Sequence, residues 1–432
     1  MVAQVARIEL FGQWVGALAY DATSRVATFE YAPDWLDSGI EIAPLHMPLA
    51  KSKYRFPALP EPTFKGLPAV FADSLPDDFG NAVINAWLAS RGQDPSAFSA
   101  IDRLLYTGSR GMGALEYSPV INRDSHAPEQ LDLESLINMA QRVIDNRARI
   151  DAPADGEHGL SDLLHVGTSA GGARSKAVVA LNSDRSRIRS GQLNAPAGFE
   201  HYLIKFDGVS ELHHNSELWG DPLGYGLMEY AYSLMAKDLG INMMPCELLH
   251  DGPRAHFLTK RFDRIGNQKV HVLTLCAMEH ADYKQPGGFS YEQLLTTARK
   301  LRLPRADAEQ IFKRMVFNIV ARNHDDHTKN TAFLLDANNQ WRLAPAYDIA
   351  YSYKPGSAWV DQHQMSLNGK RDNFTRADLM SISKLIGNFD KRAHDIIDHT
   401  LEVVSQWPTY ASNVGVFDNL KQTVNDNLRL KI

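Results

Sequence analysis

The segment Asn323-His324-Asp325-Asp326-His327-Thr328-Lys329-Asn330 is polar throughout, yet it sits between the largely apolar run Met315–Val320 and the apolar stretch Ala332–Leu335. This order brings two carboxylates and two imidazoles close to a hydrophobic core. Charged groups taken there without a cation or hydrogen-bond partner are costly. The chain must therefore fold so that the segment is anchored and supplied with partners, which favours a functional site over an ordinary solvated turn.

Composition narrows the setting. The chain has 432 residues, 44% apolar and 22% charged, an ordinary balance for a soluble globular protein with room for two or three domains. A net charge of −6 gives no support for non-specific nucleic-acid or membrane binding. Cys246 and Cys276 are too few for a disulfide framework and lack zinc-site spacing, so each reads as a small buried hydrophobe. The first residues lack a signal-peptide pattern, and no apolar run approaches the roughly 20 residues that span a bilayer. The chain is read as cytoplasmic, with no membrane partner.

Periodicity predicts an α+β protein. Arg7–Leu10, Trp14–Ala19 and Val26–Tyr31 alternate as strands. Asp77–Ala89 and Leu133–Ile150 carry helical stripes, and the Ala/Asp/Gly-rich stretch 151–159 reads as a linker. Further on, Ala177–Leu181, Tyr202–Phe206, Phe257–Arg261, Ala332–Leu335 and Trp341–Leu343 read as strands. Leu223–Leu239 reads as a helix closed by Gly240, and the chain is mainly helical from Ser290 onward.

Within this frame, one ordered set of residues matches the needs of phosphoryl transfer. That reaction requires a base for the acceptor hydroxyl, oxygen ligands for Mg2+, a cation on the phosphates and backbone N–H groups around them. Protein kinases place the base Asp and a metal-binding Asn five positions apart, with a second metal-binding Asp downstream. Asp325 and Asn330 have that spacing, and Asp348 follows a short strand. A Gly-rich segment, Gly167–Arg174, precedes Lys205 on an apolar strand, and Glu229 lies on the next helix, where it could pair with Lys205. The expected architecture is a bilobal protein-kinase-like fold with ATP in the cleft. Residues 1–120 form a β-rich N-terminal subdomain, 121–265 a linker helix and ATP-binding lobe, and 266–432 the helical catalytic lobe.

A rival reading makes His324, Asp325, Asp326 and His327 ligands of a transition metal in a hydrolase, with His213, His214 and Glu217 recruited to it. It lacks an HExxH-type ligand pair and leaves the Gly-rich loop, Lys205 and Asn330 without roles.

The chain also resembles the HipA-like kinases, toxins of bacterial type II toxin–antitoxin pairs. The resemblance runs through Gly66-Leu67-Pro68, Asp73–Gly80 (DSLPDDFG), Gly111–Tyr117 (GMGALEY), Gly171–Ala177 (GGARSKA), Tyr202–Phe206, Lys260–Arg264 (KRFDR) and Asn323–Asn330. It implies that Asp325 is the base, that Asn330 and Asp348 hold Mg2+, and that Lys205 contacts the phosphates. It further implies that Gly171, Gly172, Ala173, Arg174, Ser175 and Lys176 cover the phosphates, while the backbone of Lys260, Arg261 and Phe262 forms the adenine hinge. His327 is usual in this family where eukaryotic kinases have Lys. Ser169, with Thr168 beside it, matches the serine that such kinases autophosphorylate to eject the loop. The resemblance also implies a helix-turn-helix antitoxin dimer as partner, with operator DNA contacted mainly through it. The implied substrate is a protein, glutamyl-tRNA synthetase in the best-known case, and uncontrolled activity would cause growth arrest and persistence. A catalytically silent co-repressor and a small-molecule kinase are the alternatives.

Overall fold

The computed structural model describes residues 4–121, 130–145, 157–167, 174–212 and 218–432. Thr168, Ser169, Gly171, Gly172 and Ala173 lie outside these residues, as do His213, His214 and Glu217. Two compact units emerge: Met1–Ile40, Leu49–Gly226 and Cys246–His271 form one, and Glu41–Pro48, Leu227–Pro245 and Val272–Ile432 form the other. Residues 1–120 and 121–265, drawn apart on sequence, thus fall largely in the same unit.

The first unit opens with strands β1 (Gln4–Leu10), β2 (Gln13–Asp21), β3 (Val26–Tyr31), β4 (Lys53–Tyr54) and β5 (Leu115–Ser118), in the antiparallel order β4-β3-β2-β1-β5. Alternation does the work: Ala6, Ile8 and Leu10 are fully buried, while Val5 is 49% exposed. Gly66 of the Gly-Leu-Pro motif has φ +74, and a Cβ there would stand 1.9 Å from the Arg25 carbonyl oxygen, so only glycine fits.

A second sheet contains β6 (Lys176–Asn182), β7 (Ile188–Ser190) and β8 (Phe199–Lys205), then, after the hairpin β9 (Val209–Leu212) and β10 (Leu218–Asp221), β11 (Cys246–Asp251) and β12 (Arg254–Lys260). Its order is β11-β12-β8-β6-β7. Ala177, Val179 and Leu181 are buried because helices Asp78–Ser90, Leu133–Asp145 and Glu157–Gly167 share one core with that face of β6, through Phe79, Val83, Ile137, Val143 and Leu163. This shared core joins the N-terminal region to the second sheet. The helix from Glu157 begins inside the stretch read as linker. Cys246 corrects another expectation: it pairs with Thr259 on the edge strand β11 and is only half-buried, whereas Cys276 is buried.

Two ionic contacts lock the motif blocks of this unit together. The Asp263 carboxylate receives both arms of Arg261 at 2.8 and 2.7 Å, Arg264 at 2.8 Å and the Gly113 N–H at 2.8 Å, and all three charged residues are buried. The two guanidinium groups outweigh burial and hold Asp263 well below the usual carboxylate range. Asp77 caps the helix Asp78–Ser90 by accepting from Gly80 N at 2.6 Å, and Lys176 Nζ approaches its other oxygen to 3.3 Å.

In the second unit the helix Arg305–Val320 delivers the chain to the polar segment, and a small sheet joins Val272–Thr274, Ala332–Leu335 and Trp341–Leu343. Tyr232 donates its hydroxyl to the Ala321 carbonyl at 2.7 Å and packs on Phe317 and Trp407, fixing that helix end.

Burial pushes the Asp77 carboxyl up to about 6, against the opposing pull of Lys176. The folded state then holds a proton that the unfolded chain releases, so this contribution is complete below pH about 4 and is lost as pH rises through about 6. Urea unfolding across that window is expected to show the native protein losing about 2–3 kcal/mol relative to Asp77→Asn as pH rises. Parallel stability curves would contradict this.

Candidate active site

The polar segment begins where the helix Arg305–Val320 stops. Arg322 takes φ +59, which ends helical geometry, and Asn323 then forms a parallel bridge with Ser352. Asn323 is held at both ends of its side chain's reach: its N–H donates to the Asn318 carbonyl at 2.9 Å, and Nδ2 donates to Asn318 Oδ1 at 3.0 Å. Its Oδ1 is buried without a hydrogen-bond partner.

Asp326 is the anchor. It is 3% exposed, and its Oδ2 accepts from the Tyr291 hydroxyl at 2.7 Å and from His363 Nδ1 at 2.9 Å. Its Oδ1 accepts the Gln364 N–H at 2.7 Å. A carboxylate cannot donate, so His363 carries its proton on Nδ1. Burial, reinforced by the Asp326 charge, raises the Tyr291 hydroxyl well above its ordinary range.

Asp325 points the other way. Its side chain is 32% exposed, with Trp359 Nε1 donating to Oδ1 at 2.7 Å and His327 Nε2 lying 3.6 Å from the same oxygen. His327 also caps the 3-10 turn Thr328–Asn330 by accepting the Lys329 N–H on Nδ1 at 3.2 Å, which puts the proton of the neutral ring on Nε2, facing Asp325. Asn330 donates Nδ2 to the Asp325 carbonyl at 2.7 Å, coupling the two ends of the five-residue spacing directly. Its amide oxygen remains available as an acceptor.

Asp348 sits at φ +51, a conformation that non-glycine residues seldom take and that tends to persist at functional sites. Its carbonyl accepts from Asn323 Nδ2 at 3.4 Å. Asn323, Asn330 and Asp348 line one pocket with Asp326, Tyr347 and Ile349. A carboxylate, an amide oxygen and the unpartnered Asn323 Oδ1 form an all-oxygen donor set, which suits a hard cation such as Mg2+ that completes its shell with phosphate and water.

The transition-metal alternative fares differently. Among the described residues no three His, Cys, Asp or Glu side chains converge on a metal site. Asp326 is committed to its three donors, and burial drives His324 down to about 2, leaving it a neutral core ring against His363 at 4.0 Å.

In the first unit, Lys176 and Lys205 are directly paired across the neighbouring strands β6 and β8, so their side chains share a face. Both are at most 5% exposed. Like charges opposed in this way are unfavourable without anions, and Asp77 answers Lys176, while the Lys205 ammonium also lies 5.7 Å over the Phe257 ring. Glu229 is buried on the helix Tyr225–Asp238. Ser175 is fully buried and its carbonyl accepts the Phe206 N–H at 3.0 Å, while Arg174 is half-buried.

Of the expected hinge residues, Arg261 is also tied into the frame of this unit. Its N–H already donates to the His201 carbonyl at 3.0 Å, and its guanidinium is spent on Asp263 and on the Gly191 carbonyl at 3.0 Å. Arg261 therefore belongs to the frame. Lys260 pairs with Glu200 across the neighbouring strands β12 and β8, and Phe262 is half-buried.

The anchoring role of Asp326, which sequence offered only as a metal ligand, escaped sequence reading, as did Trp359 and the Asp77–Lys176 pair. The Asp77 and Lys176 motifs were each visible, but nothing in either sequence block announces the other.

The fold and this loop place the chain among the protein kinases. The HipA-like C-terminal domain matches residues 168–407 and the HipA N-terminal domain residues 6–118. The serine/threonine-protein kinase toxin HipA of Shewanella oneidensis is 23% identical over 360 residues, covering 78% of this chain and 72% of that protein. A putative kinase of Sinorhizobium fredii, Y4mE, is 24% identical over 369 residues, 81% and 77% of the two chains. The solved Shewanella oneidensis complex of HipA, HipB and operator DNA shares the fold at a TM-score of 0.66 and 17% identity, covering 98% of this chain and 94% of that one. The chain belongs to the HipA-like family, the serine/threonine kinase toxins.

Asp326→Asn should cost about 3 kcal/mol or more of stability, since one oxygen cannot serve all three buried donors. Asp325→Asn, partly exposed, should stay within about 1 kcal/mol. Urea unfolding of the two variants distinguishes them, and equal losses would contradict the division of roles.

Proposed function

We propose that this kinase transfers the γ-phosphate of ATP to serine or threonine hydroxyls of a protein, with Asp325 as the base. The observation that carries this reading is the bond from Asn330 Nδ2 to the Asp325 carbonyl, which makes the base and a metal ligand one rigid unit. Asp325 takes the proton of the acceptor hydroxyl as its oxygen attacks the γ-phosphorus and ADP departs. Asn330 and Asp348 would hold Mg2+, which would supply positive charge against the charge that develops on the phosphates. Lys205 takes the phosphates, from a buried position on β8 where its side chain shares a face with Lys176. Phe262 and Lys260 supply the adenine-side backbone.

The same reading extends to Ser169 as an autophosphorylated residue, where a phosphate adds about −1.5 to −2 charge to a loop that covers other phosphates. It also extends to a helix-turn-helix antitoxin that binds operator DNA and restrains the kinase, supported by the assembly in which the Shewanella relative was solved. The substrate is a cytoplasmic protein, with glutamyl-tRNA synthetase the first candidate. No described helix is long and apolar enough to cross a membrane.

Purified protein with radiolabelled Mg-ATP and whole-cell lysate should label a protein band and its own peptide containing Thr168 and Ser169. Asp325→Asn should lower both at least about 100-fold. Transfer only to metabolites, or none at all, would overturn the proposal.

A further inference from the structure

We propose that Trp359 is a positioning residue for the base: its indole N–H fixes one oxygen of Asp325 so that the other faces the acceptor hydroxyl. This rests on the reading of Asp325 as the base. An aspartate carboxylate turns easily about its last torsion, which is broad and roughly two-fold. In a partly exposed loop, that freedom would leave the acceptor oxygen undirected. Here both contacts of the Asp325 side chain, Trp359 Nε1 at 2.7 Å and His327 Nε2 at 3.6 Å, fall on Oδ1. Among the described residues Oδ2 is left for an incoming hydroxyl.

Trp359 is suited to the task because it is itself held. The Ser357 hydroxyl accepts the N–H groups of Trp359 and Val360, each at 3.2 Å. The Trp359 carbonyl accepts from the Gln364 side-chain amide, and the Gln364 N–H is bound to Asp326 at 2.7 Å. The contacts therefore close a circuit from Asp326 through Gln364 and Trp359 back to Asp325, the next residue in the chain. The base thus inherits its orientation from the buried carboxylate beside it. Ring packing stiffens the exposed side of the circuit, with Tyr283 5.3 Å from His327 and 6.5 Å from Trp359, and His327 5.9 Å from Trp359.

Trp359→Phe keeps the ring and removes the donor. Steady-state phosphorylation should show kcat reduced about tenfold with KM for ATP within about twofold, because orientation of the base is used only when the acceptor reacts. Unchanged kcat overturns the inference, as does a loss of kcat matched by a collapse of the unfolding midpoint. If that variant does not fold, the indole NMR resonance of Trp359 in the native protein decides. It should move on Asp325→Asn, and a resonance that stays in place overturns the inference. Should Asp325→Asn itself keep full activity, the base reading fails instead.

Discussion

The buried carboxylate of Asp326 is the constraint on which the Asn323–Asn330 loop depends. It gathers the Tyr291 hydroxyl, the His363 ring and the Gln364 backbone from elements far apart in sequence. Each of those donors would otherwise be buried unpaired, so the carboxylate and its donors stabilise one another and neither tolerates loss of the other. The result is a fixed point against which Asp325, one residue away, can be exposed without being loose. Adjacent acidic residues thus divide the labour: one is enclosed and structural, the other, proposed as the base, is partly exposed.

A comparable logic governs the first unit. Two lysines face each other across β6 and β8, buried, with the helix-capping Asp77 answering one of them. Asp263 between two arginines ties the Gly111–Tyr117 segment to the end of β12. Both devices spend charged side chains on joining the N-terminal region to the second sheet. The N-terminal region is therefore part of the foundation of strands β6, β8 and β12.

Much of this was legible in sequence. The strands Ala332–Leu335 and Trp341–Leu343 appear as their apolar runs predict, and Asp77 stands where a helix start was read. The Asp325–Asn330 spacing carries its own geometry, since a side chain five positions on can reach back to the backbone. Asp326 was not legible, because its donors lie 35 to 38 residues away and share no motif with it. Lys176 reads as a phosphate ligand from its loop, while its Asp77 contact comes from a block separated from it by four α-helices and a strand. The frame contacts of Arg261 were hidden for a similar reason: the His201 carbonyl that takes its N–H and the Gly191 carbonyl that takes its guanidinium come from distant parts of the chain. Local spacing reports groups that act on neighbours, whereas partners supplied by tertiary packing leave no periodic trace.

A crystal structure with Mg2+ and a non-hydrolysable ATP analogue tests the central claim most directly. The account predicts a metal bound by Asn330 and Asp348, with Asp325 Oδ2 open toward the γ-phosphate and Asp326 still holding its three donors. Nucleotide bound without either of those metal ligands, or Asp326 rather than Asp325 turned to the phosphate, would contradict it.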